Sequence, residues 1–151
     1  MTSKPTIDPS QLIANADRLT SITGTWPSFH DAEVQSLSLD REGPTLFVRI
    51  FCFELDRSET DSSGCFKRSA HCLVTFRFSR VEDLRADGFN HQNVLSSILF
   101  NEAAGGLQVT LEGIFGLTAT FRCSEASVEE VIRYQDLRKS GKPKQVKIPP
   151  V

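Results

Sequence analysis

Two segments, residues 107–112 and 117–123, alternate between apolar and polar side chains, and this pattern restricts the possible folds more than any other in the sequence. Because successive side chains of a β-strand point to opposite faces, the pattern predicts a hairpin with one buried and one solvated face. Glycines bracket the bend at 113–116. We expect Ile114 and Phe115 within it to fold back into the core, with display at the tip as the alternative.

Three earlier segments extend the sheet. From residue 46 to 53, apolar side chains occupy both phases of the alternation, which is typical of a strand covered on both faces. Residues 71–78 alternate as the next strand, so the two are predicted to pair as a long hairpin across the polar segment 56–64. Residues 32–39 also read as a strand, but their apolar positions change phase near Gln35-Ser36, which indicates a β-bulge.

Helices are predicted near both ends of the chain. Asp8 and Pro9 form a helix-start signal, and helical spacing follows to about Thr20, with four residues facing inward: Leu12, Ile13, Ala16 and Leu19. Near the C-terminus, residues 127–130 read as a capping box that opens a short helix to about Leu137, with a final strand as the alternative. Residues 81–104 fit either a helix or a strand, and their type stays open.

These elements predict one α+β domain over residues 1–138, a largely antiparallel β-sheet with an N-terminal helix and a short C-terminal helix packed on it. Hydrophobic residues make up 39% and charged residues 24% of the 151 residues, which is enough for a single core. Residues 139–151 combine lysines with prolines and are expected to form a flexible basic tail.

Charge and hydropathy restrict the possible partners and compartment. The formal net charge of -2 gives no concentrated basic surface, so nucleic acid is not an expected partner. We also expect a cytoplasmic protein that does not enter membranes, because neither a bilayer-spanning apolar run nor a signal-peptide pattern occurs. Four cysteines are scattered without zinc-site spacing, and no glycine-rich phosphate loop opens a helix, so we expect neither a disulfide, nor a metal, nor another cofactor.

The segment Trp26-Pro27-Ser28-Phe29-His30-Asp31, called the signature segment below, is the most distinctive in the chain. Its Ser, His and Asp are the residue types of a nucleophilic triad, so a small hydrolase that uses His30 and Asp31 is one hypothesis. A structural role explains the same residues: Trp26 and Phe29 anchor the loop and Pro27 stiffens it. A third hypothesis places the exposed edge of Trp26 or His30 in a binding surface.

Two other regions are candidates for contact with a protein partner. The segment 56–64 is acidic and lacks the glycine and glutamate of a calcium loop, so its carboxylates could instead dock a basic partner. The solvated face of the 107–123 hairpin is the second candidate. The candidate residues of the two regions are Asp56, Glu59 and Asp61, and Gln108, Thr110, Thr118 and Thr120.

The run from Trp26 through Asp31 to Val34 resembles the immunity protein 50 family, whose members carry a Trp-Pro-x-Phe-His-Asp-Ala-Glu signature between an opening helix and a first strand. The resemblance covers most of residues 20–125 in element order. It implies a non-enzymatic cytoplasmic protein of a bacterial polymorphic-toxin system, which binds and neutralises a cognate toxin domain. Its signature residues carry over as Trp26, Pro27, Phe29, His30 and Asp31. The alternatives are the hydrolase and a structural or oligomeric β-module, suggested by the two-sided strand at 46–53.

Overall fold

Eight antiparallel strands and two short helices confirm the predicted α+β fold. The computed structural model describes residues 8–60 and 66–139. The strands are β1 (Glu33–Asp40), β2 (Thr45–Thr60), β3 (Phe66–Ser79), β4 (Glu82–Asp87), β5 (Val94–Ala103), β6 (Gly106–Phe115), β7 (Thr118–Cys123) and β8 (Glu125–Arg133), and the helices are α1 (Asp17–Thr23) and α2 (Tyr134–Lys139). Across the sheet the strand order is β4-β7-β6-β5-β1-β2-β3-β8.

The sheet folds over on itself in two halves. Strands β1 and β5 pair over a short stretch, with Glu33 opposite Val94, and this joint separates a first half-sheet, β4-β7-β6-β5, from a second, β1-β2-β3-β8. The two halves face each other, since the rings of Phe78 on β3 and Phe121 on β7 meet edge to face with centroids 4.8 Å apart. The hydrophobic core therefore lies between the half-sheets.

The inward residues are those that the alternating patterns select. In the late hairpin, every second residue is buried from Leu107 to Leu111 and along β7, and in β2 and β3 the same rule holds over the central part of the hairpin. These core residues are Leu107, Val109, Leu111, Leu117, Ala119, Phe121 and Cys123, together with Leu46, Val48, Ile50, Cys52, Cys72, Val74, Phe76 and Phe78. Burial of this apolar surface is the main force that holds the halves together.

The first predicted helix is not continuous. A single 3-10 turn (Pro9–Gln11) is followed by a short non-helical stretch with one bridge residue, Ala14, and only then by α1. Within that stretch the Ala14 N–H donates to the Ala126 carbonyl (2.9 Å), and the Val128 N–H donates to the Ala14 carbonyl (2.9 Å). The free edge of β8 thus offers backbone partners that compete with the helix. The predicted inward side chains are nevertheless buried or half-buried: Leu12, Ile13, Ala16 and Leu19.

The C-terminal helix prediction is wrong over residues 127–133, where the alternative of a final strand applies. Strand β8 pairs with β3 from Glu125 to Arg133, and Val128 on it is fully buried opposite Phe76. From residue 125 to the last described residue, 139, only the six residues of α2 are helical. The ladder to β3 and the burial of Val128 outweigh the capping box, which stabilises a helix only locally. The predicted basic tail lies, from residue 140 on, outside the described residues.

Among the remaining strand predictions, the structure differs from the sequence pattern in part of the acidic segment. The long β2–β3 hairpin is confirmed, and the bulge in β1 is found as a register shift between Val34 and Ser36. β2 continues through residues 56–60, so this part of the acidic segment is strand rather than loop. The open region 81–104 contributes β4 and β5 and no helix within its described residues, because both strands pair with neighbours in the first half-sheet.

The outward face of β2 is partly covered by the chain itself. Phe51 stacks on His71 at a centroid distance of 6.0 Å and meets the ring of Tyr134 at 5.7 Å, while Phe53 is 8% exposed. Two aromatic residues from β3 and α2 therefore shield the apolar outer side of the strand. Within the two-sided pattern at 46–53, Phe51 and Phe53 are thus covered by other residues of the same chain.

Candidate functional site

The aromatic rings of the signature segment lie between the two half-sheets. Phe29 is 1% exposed, and the Trp26 ring contacts it with centroids 5.9 Å apart. Trp26 also meets Phe76 of β3 at 6.0 Å and Phe100 of β5 at 5.9 Å. Edge-to-face and tilted contacts of this kind stabilise aromatic clusters beyond their buried area. The segment therefore acts as a wedge that contacts both halves of the sheet.

The polar residues of the signature segment do not form a catalytic triad. Ser28 Oγ accepts a hydrogen bond from the backbone N–H of His30 (3.3 Å), and His30 Nε2 lies 3.7 Å from Asp31 Oδ1. The side chains of His30 and Asp31 are 57% and 45% exposed. A triad requires the serine hydroxyl to bond the imidazole and the carboxylate to bond its other nitrogen. This geometry provides neither contact, so it gives no support to the hydrolase hypothesis.

The predicted polar face of the late hairpin is assembled and concave. Gln108 Nε2 donates to Thr120 Oγ1 (2.8 Å), and the hydroxyl oxygens of Thr110 and Thr120 are 3.5 Å apart. Thr110, Thr118 and Thr120 line an open groove of about 750 Å³ on the outer surface of the first half-sheet. The groove is further bounded by Arg85, Asp87 and Glu112. Three of the four predicted residues on this face thus share one concave surface.

The charged residues of the groove were not among the sequence candidates. Arg85 and Asp87 lie on β4, opposite Thr120 and Thr118 of β7. The sequence gives only a weak indication that these two residues lie on a strand. β4 is short and mostly exposed, and only Leu84 and Ala86 mark its alternation. Glu112 could be located from the sequence, since it belongs to the same polar phase of β6 and accepts a hydrogen bond from Ser97 Oγ (3.0 Å).

Next to the groove, an ion-pair cluster links side chains of β4 and β7, whose backbones are already paired. Arg122 of β7 donates to Asp83 Oδ2 at 2.5 Å and lies 3.4 Å from Glu82 Oε2. All three side chains are about half exposed or more, so these pairs contribute little to the free energy of folding. In the described part of the chain, Arg85 forms no such ion pair, which leaves its guanidinium available to a partner.

The acidic candidates cannot be placed beside the groove. The backbone of Asp56 pairs with Lys67 in the β2–β3 ladder, and Glu59 also belongs to β2. Their side chains and the whole of Asp61 lie outside what the structure describes. A role for this segment in partner contact therefore stays a prediction.

Two chain segments that line the groove, ending in Asp87 and Gly113, run on to three exposed apolar residues, Phe89, Ile114 and Phe115, called the apolar tip. Their exposed fractions are 49%, 46% and 63%. The expectation that Ile114 and Phe115 fold into the core is wrong, and the alternative of display at the tip is found. The residues of this end of the hairpin that belong to the buried core are instead Leu117, directly after the bend, and Leu95, which lies opposite Gly113.

A buried asparagine holds the apolar tip in place. Asn93 is 2% exposed, and its Oδ1 accepts from the N–H groups of Asn90 (3.0 Å) and Leu117 (3.1 Å). Its Nδ2 donates to the carbonyls of Asn90 (2.7 Å) and Val34 (3.4 Å). One side chain thus connects the segment that carries Phe89, the bend that carries the other two tip residues, and the start of β1.

The three cysteines that the structure describes, Cys52, Cys72 and Cys123, are buried. Cys52 and Cys72 are directly opposite in the β2–β3 ladder with their sulfur atoms 3.6 Å apart. Burial raises the pKa of the Cys123 thiol to about 11, although a hydrogen bond with the backbone of Glu125 lowers it in part. Among the described residues, no three His, Cys, Asp or Glu side chains are grouped so that they could hold a metal ion.

Comparison with known proteins gives one result. Residues 15–134 match the family model described as Immunity protein 50, which is most of the chain. No curated protein and no solved structure matches the sequence. Within the described residues, no helix is long and apolar enough to cross a bilayer.

Proposed function

The chain belongs to the immunity protein 50 family, and on this premise we propose that it binds a cognate bacterial toxin domain in the cytoplasm and neutralises it. The family match carries the proposal. Neutralisation by binding needs a rigid scaffold and a complementary surface but no catalytic group. The exposed, unaligned Ser28, His30 and Asp31 are compatible with such a non-enzymatic role.

We place the toxin contact on the groove of the first half-sheet. The groove offers hydroxyl groups on a β-sheet framework, where strand pairing fixes their positions before a partner arrives. Its rim carries charges of both signs, since Arg85 and Asp87 of β4 and Glu112 of β6 all line the groove. Charges in such a fixed arrangement give an interface its specificity and register. A preformed polar surface also lowers the entropic cost of association.

The first experiment is co-expression with the toxin encoded beside this gene. We expect the two proteins to co-purify as a complex and the toxin to lose its activity in the presence of the immunity protein. If the toxin neither binds nor loses activity, the proposed function is wrong.

The second experiment tests the groove itself. Thr118→Arg introduces a long charged side chain at an exposed groove position and is expected to raise the dissociation constant for the toxin at least tenfold. Glu130→Arg, at an exposed position of β8 in the second half-sheet, is the control and should leave the constant within twofold. Equal effects of the two variants would contradict the groove assignment.

The acidic segment is the competing contact surface. The double variant Glu59→Lys with Asp61→Lys reverses two charges there, so it should weaken binding strongly only if these carboxylates dock the toxin. Unchanged affinity in this variant, together with weakened binding by Thr118→Arg, is the outcome that the groove assignment requires.

A further inference from the structure

We infer that the apolar tip is the anchor of the toxin interface, and that it inserts into an apolar pocket of the toxin whose rim carries Lys or Arg side chains. The inference rests on the proposed function. It adds two things: which part of the surface supplies most of the affinity, and which chemical groups the toxin presents to it.

The first observation is the exposure of the tip. Phe115 is 63% exposed, and Ile114 and Phe89 are 46% and 49% exposed. Gly88 and Gly116 approach so closely that a Cβ on Gly88 would overlap the Gly116 carbonyl oxygen, so the backbones that carry the adjacent Phe89 and Phe115 lie next to each other. Exposed apolar groups that are grouped in this way are typical of protein-binding surfaces, and aromatic residues are frequent hot spots.

The second observation is that the tip is rigid in its construction. Its two chain segments are connected through the side chain of Asn93, and Leu117 directly after the bend is fully buried. Phe115 also lies within β6, opposite Val94 of β5. An aromatic side chain on a fixed backbone loses little conformational entropy when it enters a pocket, which favours its use as an anchor.

The third observation is the sign of the charge beside the tip. Asp87 precedes Gly88 directly, and Glu112 lies two residues before Ile114. No Lys or Arg occurs in residues 86–95 or 110–118, and Arg85 lines the groove two positions further from the tip than Asp87. Two carboxylates at the border of an apolar surface are complementary to an apolar pocket with a basic rim.

The tip is also continuous with the groove. Asp87 and Glu112 line the groove, and the chain runs from these two residues directly into the apolar tip on both segments. One partner can therefore cover the groove and the tip together. The groove would then supply the polar contacts of the interface and the tip its desolvated centre.

The test measures the affinity for the toxin domain encoded beside the gene by isothermal titration calorimetry. Ile114→Ser and Phe115→Ser are each expected to raise the dissociation constant tenfold or more. Leu39→Ser is the matched control, because Leu39 is 51% exposed and lies at the end of β1 remote from the Glu33–Val94 joint. It should change the constant less than twofold. Phe89→Ser, on the other chain segment of the tip, repeats the test should either variant fail to fold.

The charge part of the inference has its own variant. Asp87→Lys with Glu112→Lys should slow association and weaken binding at least tenfold at low salt, and less at high salt because salt screens the attraction. Glu102→Lys, at the exposed far end of β5, is the control. If wild type and the double variant have the same affinity at both salt concentrations, the inference that the toxin pocket has a basic rim is wrong.

The outcomes separate the inference from the proposed function. If wild type fails to bind the toxin, both are wrong. If wild type binds and the three tip variants, folded by circular dichroism, bind within twofold of it, only the inference is overturned. A concentration-dependent dimer that Phe115→Ser abolishes, with toxin affinity unchanged, would assign the tip to a second copy of this chain and also overturn it.

Discussion

At the scale of single residues, Asn93 contributes most to the order of the candidate site. Its amide makes four hydrogen bonds to backbone groups from three chain segments, and the residue is 2% exposed. Buried polar groups of this kind are costly only when their partners are removed. The hydrogen bond from the Leu117 N–H is the most important, since that donor is buried beneath the bend.

Replacement of Asn93 by Ala is expected to lower the free energy of unfolding by about 2–4 kcal/mol, because the Leu117 N–H and the other bonded groups lose their partner in the interior. Urea denaturation followed by circular dichroism measures the change. Asn101→Ala, at an exposed position of β5, is the control and should alter stability by less than about 0.5 kcal/mol. Similar losses in both variants would contradict the role assigned to Asn93.

The Cys123 thiol is expected to be unreactive in the folded protein. Its pKa is raised by burial from 9.0 to about 11, so at pH 8.5 its thiolate fraction is roughly a hundredfold below that of an ordinary thiol. Alkylation by iodoacetamide followed by peptide mapping should modify Cys123 quickly only after unfolding. Rapid modification of the native protein would show that the thiol is not shielded.

The same pKa shift gives a pH dependence of stability. In the unfolded chain the thiol ionises from pH 9 upward, whereas in the folded protein it stays protonated to about pH 11. The unfolded state therefore binds fewer protons in this interval, and the Cys123 contribution to stability falls as pH rises from 9 to 11. Cys123→Ser should show a smaller decline between these pH values in urea denaturation.

At the scale of elements, the bend between β6 and β7 depends on Gly116. Its φ is +73°, and a Cβ there would overlap the Gln92 carbonyl oxygen and lie 2.6 Å from Asn93 Oδ1. A side chain at this position is therefore disfavoured twice, by its own backbone conformation and by the neighbouring segment. The bend and the segment before β5 fit together only because residue 116 has no side chain.

We expect Gly116→Ala to reduce stability by at least about 2 kcal/mol more than Gly105→Ala does. Gly105 is a matched control because its φ is +79° and a Cβ there would meet nothing within 4 Å, so only the conformational cost applies. Thermal unfolding of both variants measures the difference. Equal melting temperatures would show that the bend can move away from Gln92 without a loss of stability.

At the scale of the whole molecule, the signature segment keeps the two half-sheets together. Trp26 contacts rings from β3 and β5, and Phe29 is buried beside it in spite of a φ of +60°, a conformation that bulky residues rarely adopt. The surrounding packing maintains this conformation. His30 and Asp31, by contrast, face solvent at the same loop. The signature thus combines core residues with exposed ones.

This division predicts opposite effects within one motif. Phe29→Ala removes a buried ring at the centre of the fold and should cost about 3–5 kcal/mol of stability, measured by urea denaturation. His30→Ala, one residue further, should cost less than about 0.5 kcal/mol. A large loss in His30→Ala with a small one in Phe29→Ala would show that the signature is not a structural wedge.

Much of the fold follows from local patterns. The period-two alternation identifies β2, β3, β6 and β7 and most of their inward residues, since burial of one face selects the register of a strand. The signature segment also places the chain in its family, as the match over residues 15–134 confirms. The exposed polar face with Gln108, Thr110, Thr118 and Thr120 was located by the same alternation.

Tertiary structure decided the features that depend on distant partners. The residues after Asp8 and those from Ser127 carry helix-start signals, yet the first segment runs along the edge of β8 and the second joins β3, because long-range backbone pairing and burial exceed the small free energy of a cap. Likewise, nothing local distinguishes an inward from an outward Phe115. Its exposure is decided by tertiary packing, because Leu95 and Leu117 join the buried core cluster whereas Phe115 is left 63% exposed.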